Sequence, residues 1–370
     1  MIKKIGIVIF AAAVILLTAS CNGNEPNDLS YIVALGIDSG ENGKYNITIQ
    51  YANPAEISGS EELNLEDSGV KNVTVEASDI YEAVATADLH DSKKLFLSHT
   101  KVVIFSKDVA MSDISSMSEL FINSEELRPD VYLAVSENAK EYLEGLNPET
   151  EANPAKYYKM FFDKDKLTGL PHGTLKIFFD GIETGEYDTV LPIVTNENDD
   201  PQSAVFRGGR MVGTMSRDET EIYKFLDRDF ADGFVTLEND DTLKKPVTIK
   251  ISQKKAPRYT IDSDNLTVHV DLILTGSVYS APPDYDEDVS SDEFRKKCED
   301  HIKKDSETLM KRIITEYGSD IFHFNEYAKK NFWAYDEYER FKKFTDYSGY
   351  DITVNMEFDI KKTGMMQKEN

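Results

Sequence analysis

The chain has 370 residues and a mass of 41.8 kDa, enough for two or three domains at about 150 residues each. With 40% hydrophobic and 29% charged residues it can build cores, which excludes global disorder, and its net charge of −26 disfavours nucleic acid and anionic lipid as partners. Two cysteines, Cys21 and Cys298, exclude a disulfide framework and a thiolate zinc site, and six scattered histidines do not suit an all-His metal site.

Lys3 and Lys4 precede an apolar run of 15 residues, Ile5 to Ala19. At about 1.5 Å rise per residue this is short for a bilayer core of about 30 Å, so residues 1–20 read as a signal peptide. The run ends Leu17-Thr18-Ala19-Ser20-Cys21, small residues before a Cys, as in a bacterial lipobox; Thr18 stands where that motif prefers Leu. Cys21 is therefore expected to carry diacylglyceryl, with cleavage just before it and a polar tether over residues 21–30. Cleavage removes Lys3 and Lys4 and no acid, so the net charge goes from −26 to −28. No later run approaches the roughly 18 apolar residues of a spanning helix. The mature chain is expected to be anchored to the bilayer without crossing it, with Cys298 as a lone thiol.

Tyr31 to Ile37 and the alternating Tyr45 to Tyr51 flank a Gly-rich turn and read as a hairpin. Ile80, Ala83, Val84 and Ala87 share one helical face, with Ser78-Asp79 as the N-terminal cap. Leu95 to Phe105 reads as a strand with a polar interruption, Asp113 to Ile122 as a helix, Val131 to Val135 as a strand and Ala139 to Leu143 as a helix. Prolines punctuate residues 147–200, and Asn196 to Pro201 reads as a linker, so a domain boundary is placed between 198 and 199. Beyond it come a tight hairpin around Gly208-Gly209 and a helix from Asp218 to Leu226. Val247 to Ile251, Tyr259 to Ile261, Leu266 to Leu274 and Ile352 to Ile360 alternate apolar and polar residues. Between the last two, Phe294, Cys298, Ile302, Leu309, Ile313 and Tyr317 recur at helical spacing. The fold class is therefore α+β and multidomain: a region over 31–198, then a C-terminal unit over 199–370 with an antiparallel sheet covered by a long amphipathic helix.

No constellation for chemistry stands out. His99 is the most tempting general base, but no Gly-x-Ser-x-Gly elbow exists, and Ser98, adjacent on a strand, faces the other way. A His held by a backbone hydrogen bond is the simpler expectation. Asp227, Asp229, Asp232 and Gly233, with Glu238 beyond, resemble a calcium loop, yet Ala231 and Asp232 occupy the places of the oxygen ligand and the glycine. A helix end with a Gly turn is preferred there. Glu125-Glu126 could mimic a glycosidase pair, but 67 acids produce such pairs by chance. Cys298 sits on an apolar helix face and reads as packing. Gly208-Gly209 lacks the Lys-Ser/Thr of a phosphate loop. Phe332, Trp333 and Tyr335 form an aromatic group that reads either as a contact site or, more simply, as a core plug at a helix end. Catalytic residues, metal ligands and cofactors are expected to be absent.

The order of these segments resembles the Ger(x)C family, the C-subunit lipoproteins of bacterial spore germinant receptors. The resemblance rests on the lipobox, Ile32–Asp38 followed by Ile47–Pro54, Leu97–Phe105 with its Ser98-His99-x-Lys101, the hairpin Ala204–Phe206 to Met211–Gly213, and Tyr317–Phe324 followed by Trp333 and the closing strand to Gly364. It covers almost the whole mature chain in order, and departs at Phe121–Asn123, where the family carries an Arg. It implies three α+β domains and a non-enzymatic subunit on the outer surface of the spore's inner membrane. It further implies two integral-membrane receptor subunits as partners, and a response to nutrients such as amino acids, sugars or nucleosides. Phe332, Trp333 and Tyr335 are the expected partner-binding residues, and Cys21 the lipid anchor. A solute-binding lipoprotein of a transporter is the alternative, which would need two similar α/β lobes. A lipid-anchored hydrolase would need a triad or a metal cluster.

Overall fold

The computed structural model describes residues 29–52, 70–124, 126–146, 154–163, 171, 173–196, 202–228, 232–237, 246–281, 292–344 and 349–360. Cys21 lies outside them. The described residues form an α+β fold with two mixed sheets. Strands β1 (Leu29–Ser39) and β2 (Tyr45–Ala52) pair antiparallel, as the alternation predicts, and β3 (Val70–Ala77) extends the sheet beyond β2. Helix α1 (Ile80–Asp88) is capped by Asp79, whose carboxylate accepts the amides of Tyr81 and Glu82.

The stretch predicted as one strand over Leu95–Phe105 is instead two. β4 (Lys94–Phe96) pairs with the start of β1, a 3-10 turn takes Leu97–His99, and β5 (Val102–Ser106) pairs with β1 from Ala34 onward. Thr100 Oγ1 donates to Leu97 O at 2.7 Å and closes the turn. Ser98 and His99 therefore do not alternate across a sheet, which corrects the expectation for that pair.

After β5 come α2 (Lys107–Met111), α3 (Ser115–Ile122), β6 (Tyr132–Ser136), α4 (Ala139–Gly145), α5 (Pro154–Asp163), α6 (Leu175–Thr184) and β7 (Val190–Ile193). Strands β5, β6 and β7 run parallel to β1. β8 (Gln202–Arg207) and β9 (Arg210–Met215) continue the same sheet antiparallel, so pairing runs unbroken from residue 193 to residue 202. Because helices cover both faces, β1 is buried along most of its length and carries a near-continuous apolar run. A bulge between Ile32 and Ala34 turns Val33 and Ala34 to one face. There they pack with Val102, Ile104, Leu143, Tyr158 and Phe162 beneath α4 and α5. Ile32, Leu35, Phe105, Phe121 and Phe178 fill the other face with α1, α3 and α6. A buried polar bridge crosses the first layer: Tyr158 donates to Gln50 Oε1 at 2.8 Å, and Gln50 Nε2 donates to Leu143 O at 3.1 Å. Asp38 reaches from the end of β1 to accept the amides of Ala139 and Lys140, each at 2.9 Å, and so holds the start of α4.

Helix α7 (Arg217–Leu226) opens with a reciprocal cap between Ser216 and Glu219. It leads into β10 (Asp232–Leu237), β11 (Val247–Asp262), β12 (Thr267–Ser280), α8 (Asp292–Arg312), α9 (Phe324–Ala328), α10 (Tyr335–Phe344) and β13 (Asp351–Ile360). The two strands predicted at 247–251 and 259–261 are one strand, irregular between Gln253 and Arg258, around Pro257. The second sheet is not wholly antiparallel. β10, β11 and β12 are, but β13 lies parallel to β12 because the long helix α8 carries the chain back across the sheet. Phe294, Cys298, Ile302 and Leu309 of α8 are buried against that sheet, as their spacing predicts. The apolar cluster here also takes in Val190, Val205 and Met215 of the first sheet.

Ser216→Ala removes one half of the reciprocal cap and should lower stability by about 1 kcal/mol, read as a shift in the denaturant midpoint with an unchanged slope.

Candidate functional site

Two features stand out: a buried polar joint between the sheets and an exposed aromatic group fastened beside it. At the joint, the end of α8 passes through a π-turn at Ile313–Tyr317 into Gly318, which has a φ of +61°. Gly213 on β9 admits the Tyr317 ring; a Cβ there would stand 2.2 Å from Tyr317 Cζ. Tyr317 donates to Thr214 O at 3.2 Å, and Arg312 pairs with Glu219 at 2.7 Å. Ser319 Oγ donates to Phe206 O at 2.7 Å.

Two carboxylates complete the joint. Asp188, just before β7, accepts the Gly208 amide at 2.6 Å and the Asp320 amide at 2.8 Å. The Asp188 amide in turn donates to Asp320 O. Asp320, fully buried, accepts the amides of Phe324 and Asn325 at 2.7 and 2.9 Å and so holds the start of α9. Burial pushes the Asp320 carboxyl up to about 7, against the two amides that favour its charge, with nearby Asp188 and Glu326 adding to the rise. Burial also raises Asp188. Sequence reasoning missed both. Each is an unremarkable Asp until two segments 132 residues apart meet.

The aromatic group stands on a pedestal next to the joint. Phe332 is half-buried, its ring centroid 5.0 Å from Phe341 and 5.9 Å from Tyr338. Trp333 is 102% exposed and Tyr335 64% exposed, so the core-plug expectation is wrong for both. Phe332, Tyr338 and Phe341 close on one another, and the indole stands outside that group. Lys329 pairs with Glu186, and Lys342 donates to Thr184 O at 2.6 Å. Both ammonium groups flank the Tyr338 ring, at 5.6 and 5.5 Å. Asn331 donates to Ile261 O at 2.8 Å and ties the turn to β11. Thr184 and Glu186 precede β7. They therefore lie at the end of the large sheet where its parallel strands begin, the end at which the chain enters β1 at Leu29.

The remaining candidates come apart. The His99 ring lies 4.2 Å from Tyr31 and 6.5 Å from Phe96; it is held by ring contacts, not by the expected backbone bond. Burial, then Lys101 and Arg128, lower its pKa. Asp227 is the C-terminal cap of α7, Gly233 lies in β10, and Asp232 is engaged by Ser252 and Lys250; Asp229 and Glu238 lie outside the described residues. Among the described residues no group of three or more His, Cys, Asp or Glu is placed to hold a metal. Glu126 is exposed and Glu125 lies outside the described residues. Cys298 is fully buried, and burial pushes its thiol up to about 12, which leaves it inert packing. Gly208-Gly209 is the β8–β9 turn.

Comparison with known proteins bears on these two features directly. Residues 22–196 match the spore germination protein N-terminal domain, and residues 202–364 match the "spore germination B3/GerAC like" C-terminal domain. The chain belongs to the Ger(x)C family of spore germination proteins. Spore germination protein KC of Bacillus subtilis (strain 168) is 28% identical over 112 residues, which is 29% of this chain. The match spans 26% of that relative's length, about a quarter. The crystal structure of the GerBC protein has the same fold, with a TM-score of 0.55 at 18% identity over 88% of this chain and 96% of that one. The segments 204–213 and 317–324 that carry the family resemblance are the two sides of the joint. Among the described residues no helix is long and apolar enough to cross a membrane.

Two outcomes follow from the joint. Gly213→Val drives a side chain into the Tyr317 ring and should cost about 1–3 kcal/mol, with loss of contact between the sheets read by hydrogen exchange at Thr214 and Asp320. Asp320 binds its proton more tightly folded, at about 7, than at its ordinary 3.8. Its contribution to stability is whole below about pH 4 and is lost as pH rises through about 7. Asp320→Asn keeps an acceptor for one of the two α9 amides and should flatten that pH dependence of the melting temperature.

Proposed function

We propose that the chain is a non-enzymatic subunit of a nutrient germinant receptor. In this reading, diacylglyceryl on Cys21 anchors it to the outer face of the spore's inner membrane. Residues 21–30 serve as the tether, and folded regions over 31–198 and 199–370 dock onto two integral-membrane subunits. Family membership supports a role in germination, and the receptor complex is the setting in which such a subunit acts. The observation that carries the docking reading is the exposure of Trp333 on a braced pedestal, at the sheet end from which the chain runs back towards Cys21. An apolar side chain held out in water is stable there only at the cost of solvation, and contact with the membrane assembly removes that cost. Phe332, Trp333 and Tyr335 are the contact residues in this reading.

The alternative of a solute-binding lipoprotein is disfavoured by the shape of the two halves. One is a large sheet with a parallel centre, the other a small mixed sheet, and they are not the similar lobes such a protein closes around its ligand.

Cys21→Ala should abolish incorporation of labelled fatty acid and release the protein from membranes; unchanged labelling would refute the anchor. Trp333→Asp, present at normal levels, should lower nutrient-triggered germination while leaving germination by direct core-activating agents intact. A normal nutrient response in that variant would remove the aromatic group from the mechanism.

A further inference from the structure

We infer that Trp333 and Tyr335 form a second membrane contact, with the indole lodged in the lipid interface of the bilayer that holds the anchor. This rests on the lipid-anchored reading above and departs from it at one point: Trp333 and Tyr335 meet lipid, and docking on the receptor subunits falls to the rest of the folded regions. Three observations combine. The first is position. Ala34 pairs with Val102, Val102 with Tyr132, and Val135 with Ile193, so β1, β5, β6 and β7 start at one end of the sheet. Leu29 enters there, and Thr184 and Glu186, which fasten the pedestal, lie there too. Three strand spacings of about 4.8 Å separate β1 from β7, or roughly 14 Å.

The second is reach. Eight Cα-to-Cα steps lead from Cys21 to Leu29. Fully extended they span at most about 28 Å, and as a flexible chain about 15 Å. The sheet end that carries Trp333 is thus kept near the bilayer surface.

The third is chemistry. Trp333 stands wholly out of the protein and Tyr335 mostly so, two residues apart, beside Lys329 and Lys330. Trp and Tyr beside Lys330 match the interfacial zone of a bilayer, where the rings meet the acyl boundary and an ammonium group meets phosphate, while Lys329 stays paired with Glu186. Residues 329–342 hold four basic and three acidic side chains, close to neutral in a chain of net charge −26. An acid-rich protein held close to lipid is repelled least along such a surface. A protein partner would have to bring a pocket shaped to a side chain that projects on its own. A bilayer needs none.

Trp333 is the only tryptophan, so intrinsic fluorescence reports this contact alone. The full lipidated protein is reconstituted into phosphatidylcholine vesicles, with and without phosphatidylglycerol and without receptor subunits, and recovered by flotation. The emission should be blue-shifted relative to the Cys21→Ala protein in buffer. Acyl chains brominated near the headgroup should quench it, and aqueous iodide should quench it less. Floating protein whose emission stays red, is open to iodide and is untouched by bromolipid overturns the inference and leaves the anchor intact. A blue shift that appears only when integral receptor subunits are added also overturns it and assigns the aromatic group to protein. Protein that fails to float defeats the anchored reading and this inference together.

Discussion

A carboxyl group taken out of water must find donors or a proton, and the joint between the two sheets is arranged around that demand. Asp188 and Asp320 accept amides from Gly208, Asp320, Phe324 and Asn325, so three separate segments are fixed by two side chains. Removing either acceptor would leave buried N–H groups unpaired, which costs more than the bond itself contributes. Everything on the far side of the joint inherits its orientation from this contact. That includes α9, the turn at Lys329–Asn331 and the pedestal under Trp333. The direction in which the indole points relative to the entry of the chain is set several bonds away, inside the protein.

The chain is rich in acids, yet the acids that matter structurally act as caps. Asp79 holds α1, Asp38 reaches across to α4, and Asp320 holds α9. Each meets the positive end of a helix, where a negative charge is stabilised and free amides need acceptors. An inventory of carboxylates suggests catalytic pairs, whereas these three serve as helix caps. Cys298 and His99 follow the same course: one is a small apolar filler in the α8 seam, the other a flat ring against Tyr31.

In the proposed role the chain works through surfaces, and a surface transmits only what it is rigidly attached to. The aromatic group is braced by Glu186 and the Thr184 carbonyl, in the segment from the end of α6 to β7, and by the Ile261 carbonyl on β11. Two of the segments that carry the family resemblance, the β8–β9 hairpin and the stretch from Tyr317 to Phe324, help build this arrangement.

Local signals in the amino-acid order were enough for most elements. A short apolar run marked β1, alternation marked β2, β12 and β13, helical spacing marked α1 and α8, and Asp79 marked a cap, because side-chain period and capping depend only on near neighbours. The lipobox at Cys21 and the family's order of motifs are likewise linear features. Tertiary structure alone decided the rest. β13 runs parallel to β12 because α8 must recross the sheet. The polar break at Leu97–His99 became a turn because β1 accepts the strand on either side of it. Asp188 and Asp320 became partners only when distant segments met. Trp333 stands outside while Phe332, Tyr338 and Phe341 pack on one another. Hydrophobicity tells which residues gain by burial, but which of several aromatic rings is buried depends on the volume that the assembled neighbours leave.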